Sequence, residues 1–71
     1  RSDDILTEAE AEAEAEAEKA IKINADYASA YVNRGVAREM LRNQEGACAD
    51  WQKAKDLGSD LGKRYLIGNC H

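Results

Sequence analysis

Two stretches of this chain, EKAIKINADYASAY at 18–31 and QKAKDLGSDLGKRY at 52–65, align with an offset of 34 residues. Lys19 matches Lys53, Ala20 matches Ala54, Asp26 matches Asp60 and Tyr31 matches Tyr65, while Ile23 and Leu57 form a conservative pair. A chain that restates itself at this period builds one supersecondary unit and buries each apolar face on the next copy. At 71 residues it forms one domain at most, with little surface to bury. So short a chain needs a staple, a partner or near-ideal helix packing.

The local signals within the repeat are helical. Asp26 is placed to cap YASAYVNRGVAREML, and RNQEG supplies a polar turn. In GACADWQKAKDL the residues Ala47, Trp51, Ala54 and Leu57 form one apolar stripe. Gly58 then suits a helix terminator and Ser59 the next cap. Gly35 falls inside a helix, where glycine costs about 1 kcal/mol against alanine. Its presence is explained if a neighbouring helix bearing Trp51 approaches too closely for a side chain.

The block SAYVNRGVAREMLRNQEGACADWQKAKDLG resembles a tetratricopeptide repeat, a helix–turn–helix unit with the pattern W-x2-L-G-x2-Y, then A-x3-F, then P. Tyr31 stands for the Trp, Gly35 for the Gly, Ala47 for the Ala and Trp51 for the Phe, with Ala54, Leu57 and Tyr65 in phase. Arg34 replaces the Leu, Arg38 replaces the Tyr, and Ala25 and Ser59 stand where the closing Pro is expected. The resemblance covers residues 18–65. It implies an all-α fold of antiparallel helical hairpins, with one complete repeat, a preceding half repeat and a capping helix.

The opening TEAEAEAEAEAEKAIKI alternates Ala and Glu, the period of a strand with one buried face. Both residue types nevertheless favour helices and are depleted from strands. The repeat offset places Ala13, Ala17 and Ala20 where Ala47, Trp51 and Ala54 stand, giving a helix with a small-residue face. Ile21 and Ile23 add bulk, and Thr7 with Glu10 has the spacing of a capping box. Glu8-Glu12-Glu16 and Glu10-Glu14-Glu18 are like-charge rows that weaken such a helix. Four helices are therefore predicted, at approximately 5–24, 27–41, 44–57 and 60–69. The single domain divides into an acidic segment 1–18, a core 19–58 and a capping helix 59–71. The low complexity of 8–18 suggests an engineered or replaced segment.

Charge is unevenly distributed. Residues 1–18 sum to -7 and residues 19–71 to +3, so the acidic segment either lies against the basic remainder, in this copy or a second, or presents a solvated face. No basic stripe with interleaved aromatics suggests nucleic-acid binding. No apolar run has the length to cross a bilayer, so a soluble domain is expected.

In the last element, Leu61, Tyr65 and Ile67 are available to cover Trp51 and Leu57. Folding it back about Gly58-Ser59 opposes Trp51 to Ile67 and brings Cys48 level with Cys70. A disulfide and two free thiols both remain open, and a bridge would indicate an oxidising compartment. Cys48, Cys70 and His71 lack a paired-cysteine motif, and no metal or cofactor is expected.

No phosphate loop, nucleophile motif or paired acid and base is present, and a non-enzymatic role is expected. The resemblance implies protein or peptide recognition along the first-helix stripe Ser29, Val32, Asn33, Val36 and Met40. The rival is self-association, as a homodimer or swapped oligomer, of a unit whose apolar surface is incompletely covered.

Overall fold

A computed structural model describes residues 2–70 of the chain, with side chains from Glu8 onward. It contains α1 (Ser2–Ile23), α2 (Ala28–Met40), α3 (Gln44–Asp56) and α4 (Asp60–Asn69), and no strand among the described residues. Each helix returns along its predecessor. On α2 and α3, Arg38 lies beside Gly46 and Gly35 beside Trp51; on α3 and α4, Cys48 meets Cys70 and Ala54 meets Gly62. Residue numbers fall on one helix as they rise on the other, so both pairs are antiparallel.

The Ala/Glu tract is helical throughout. Helix propensity overrides a period-two pattern that has no second strand to pair with. The helix starts earlier than expected, so Thr7 lies inside it rather than at its cap; the Thr7 side chain lies outside the described residues. Ala17 is buried and Ile21 packs against the core, but Ile23 is 87% exposed and adds nothing to it. Ile23 is the final residue of the helix, where the chain turns away.

That turn also displaces the expected Asp26 cap. The N-terminal cap of α2 is Tyr27, which makes no side-chain capping bond. Asn24 organises the connection instead, its Oδ1 accepting from the Asp26 N–H at 3.0 Å. Asp26 is thereby placed one residue too early to cap.

The other two connections share one geometry. After α2, the Asn43 N–H donates to the Arg38 carbonyl and the Arg42 N–H to the Glu39 carbonyl. After α3, Ser59 donates to Ala54 and Gly58 to Lys55 in the same pattern. This is the Schellman arrangement, which needs a left-handed residue just past the helix. Gly58 supplies it at φ +95°, whereas Arg42 adopts it at φ 65°. Asn43 caps α3 through the Gly46 N–H and Ser59 caps α4 through the Gly62 N–H, each at 3.0 Å.

Trp51 is the centre of the core and fully buried, flanked by Ala47, Ala54, Tyr31 and Val32. Its Nε1–H donates to the Val32 carbonyl at 3.3 Å, which satisfies the only polar atom of its ring. A Cβ on Gly35 would stand 2.5 Å from that nitrogen, so glycine is required for the ring to lie where it does. Leu57 is half-buried against the same cluster.

The capping helix uses a different face from the one expected. Tyr65 stacks on Trp51, with ring centroids 5.1 Å apart and 15° between planes, and Leu66 packs beside it. Leu61 and Ile67 instead point outward, at 52% and 64% exposure. Gly62 is the reason. A Cβ there would meet the Ala54 Cβ at 2.6 Å, so α4 approaches α3 too closely at Gly62 for a side chain. Helical spacing then turns 62, 65 and 66 inward and leaves 61 and 67 on the flanks. Cys48 and Cys70 are joined by a disulfide, with Cα atoms 5.9 Å apart.

Candidate functional site

Asp50 is buried beside Trp51 and carries the two arginines that stand where the repeat pattern has Leu and Tyr. Arg34 grips it in a fork, Nε to Oδ2 at 3.0 Å and Nη2 to Oδ1 at 2.7 Å. Arg34 also lies over the Tyr31 ring, 5.5 Å from its centroid. The hydrogen bond to Asp50 raises the Arg34 pKa above its ordinary value, against the smaller opposing effect of burial. Since the folded value is the higher one, this stabilisation is in place below the unfolded value as long as Asp50 is ionised, and on the alkaline side it fades only in strong alkali.

Arg38 joins that centre to α1. It reaches Asp50 with Nη1 at 3.3 Å, Glu14 with Nε at 2.8 Å and Glu18 with Nη2 at 3.8 Å. Part of the acidic helix is thus bound by the basic remainder of the same chain, while Glu8, Glu12 and Glu16 stay exposed. Asp50 had no motif to mark it. The signal available was the pair of arginines four apart on α2, facing an aspartate next to the core tryptophan.

On the other side of α2 lies a groove of about 630 Å³. Asn33, Val36, Ala37 and Met40 form its floor, Ala9, Glu10 and Ala13 of α1 one wall, and Tyr65 of α4 its far side. Met40 is 58% exposed and Val36 half-buried, so apolar surface faces solvent here. A smaller hollow of about 240 Å³ continues it along α1, sharing Ala13 and Asn33 and adding Glu16, Ala20 and Tyr27.

The predicted recognition stripe divides at this groove. Asn33, Val36 and Met40 line it, while Ser29 is exposed outside both hollows. Val32 is not on the surface at all: at 3% exposure it is core, under the Trp51 ring. It sits at the edge of the stripe, roughly 100° round the helix from Asn33, and that turn points it to α3. The walls from α1 and α4 leave no mark in the sequence, because they depend on how the helices are set against one another.

Part of the chain has a relative. RNA polymerase II-associated protein 3 of Xenopus laevis is 46% identical over 41 residues, which is 58% of this chain and 6% of that protein. The chain therefore spans a small part of that relative, a protein named for its association with another. No family model matches the sequence, and no solved structure matches it.

Other chemistry is sparse among the described residues. They contain no group of three His, Cys, Asp or Glu placed to hold a metal ion. Cys48 and Cys70 are bonded to each other, and His71 lies outside the described residues. None of their helices is long and apolar enough to cross a membrane.

Proposed function

We propose that this chain is a non-catalytic interaction module of the tetratricopeptide type, holding a peptide or partner helix in the groove of α1, α2 and α4. The observation that carries the reading is the groove itself: a concave face with Met40 and Val36 open to solvent and Asn33 available to bond a peptide backbone. Gly35 against Trp51 supports the repeat assignment. A relative named for associating with another protein supports a protein partner.

Selection of random displayed peptides on the intact protein tests this. Binders are expected that lose affinity on Met40→Gln, a neutral change at an exposed position that leaves the core untouched. Binders indifferent to Met40→Gln, or no binders, would count against the groove. A second reading, self-association, draws support from Ile23, Ile67 and Leu61, all more than half exposed. Light scattering separates the two: a concentration-dependent dimer favours the second, a monomer at high micromolar concentration the first.

A further inference from the structure

We propose that the segment this groove accepts is cationic, presenting a lysine or arginine between apolar side chains. The inference rests on the groove being the binding face. Apart from the Tyr65 phenol, the ionisable side chain in the groove wall is Glu10, and in the adjoining hollow, apart from Tyr27, it is Glu16. No lysine or arginine is among the described residues lining either.

The two arginines of α2 cannot reverse that sign. Arg34 is held by Asp50, and Arg38 by Asp50, Glu14 and Glu18, in contacts that draw both side chains away from the groove. Among the described residues, Glu10 and Glu16 make no ion pair within the chain. Their carboxylates are therefore available to a partner, and Glu8 and Glu12 on the same helix add to the negative potential.

The apolar part of the lining completes the chemistry. Met40, open to solvent in the groove, adapts its shape to flanking aliphatic groups. An acidic segment would meet carboxylates on the α1 wall and no compensating base among the described lining residues. Charge complementarity of this kind selects partners and speeds their encounter.

The displayed peptides selected above provide the test, since their sequences read the preference directly. Chosen peptides are synthesised and titrated into the disulfide-intact protein, with amide shifts of Asn33, Val36 and Met40 reporting occupancy. Groove binders are expected to carry Lys or Arg beside apolar residues. Replacing that cation by Gln should weaken binding about ten-fold, as should raising salt from ~50 to ~500 mM. The double variant Glu10→Gln/Glu16→Gln, which keeps two good helix formers, should weaken it about five- to ten-fold.

Neutral or acidic groove binders would overturn the charge preference while leaving the groove as a binding face. So would cationic binders whose affinity the double variant leaves unchanged. Peptides that bind without shifting the groove amides, or an empty selection, would overturn both readings together.

Discussion

The α2–α3 hairpin is covered at both ends, and the two covers are attached by different physics. At one end, α1 offers alanines: Ala17 is buried, Ile21 packs on the core, and Arg38 ties Glu14 and Glu18 down by charge. At the other, α4 offers shape: Gly62 permits close approach, Tyr65 stacks on Trp51, and the Cys48–Cys70 bond closes the end. Gln44 adds a hydrogen bond from Nε2 to the Asn69 carbonyl at 2.7 Å beside that bond. A long helix with little apolar bulk needs ions to fix its position, whereas a short one needs a ring and a staple. Salt should loosen the first cover and reductant the second.

The common anchor offers the largest effect. Trp51→Ala removes the ring that Gly35, Val32 and Tyr65 all meet and should destabilise by about 3–5 kcal/mol. In a domain this small, that amounts to unfolding. Circular dichroism against urea would show the helical signal lost from every element together. A variant that kept α1 and α2 paired would break the view that both covers depend on one core.

Next in size is the staple. Reduction, or Cys48→Ser with Cys70→Ser, should cost about 3 kcal/mol by the chain-entropy account of a closed loop of this length. Hydrogen exchange should then rise first in α4, while α1 amides keep their protection. Equal loss at both ends would mean that the two covers are not independent.

The ionic cover should be weaker. Glu14→Gln with Glu18→Gln removes two partly exposed contacts to Arg38, and the expected loss is about 1 kcal/mol. The effect should shrink in high salt, since screening already weakens those pairs in the parent protein. Asp50 stays paired with Arg34, which keeps the buried charge satisfied. If exchange in α1 is unchanged by the double substitution at any salt, alanine packing alone holds the helix.

How far the sequence revealed these ends follows the same division. Trp51, Gly35 and the helix terminator Gly58 are legible because each depends on residue type at fixed spacing. The level positions of Cys48 and Cys70 followed from folding one helix back on another. The outward turn of Leu61 and Ile67 was not legible, because it depends on Gly62 drawing α4 inward at one point. Asp50 is not legible because a buried aspartate is defined by its partners, and Arg34 and Arg38 come from another helix. The burial of Val32 is hidden by the same limit: spacing selects a stripe, but only the neighbouring helix decides which edge of it is covered.

The smallest expected effect concerns the hairpin between the covers. Its two turns have the same hydrogen bonds, yet the left-handed position holds Arg42 in one and Gly58 in the other. A side chain in that region costs roughly 1 kcal/mol or more, which glycine avoids. Glycine in turn gives the unfolded chain more freedom, offsetting part of the gain. Arg42→Gly should therefore stabilise by about 0.5 kcal/mol. The Arg42 side chain is exposed and makes none of the ion pairs among the described residues, so little is lost with it. The measurement is the urea midpoint at unchanged m-value. A lower midpoint would mean that the Arg42 side chain contributes to the hairpin in a way its backbone geometry conceals.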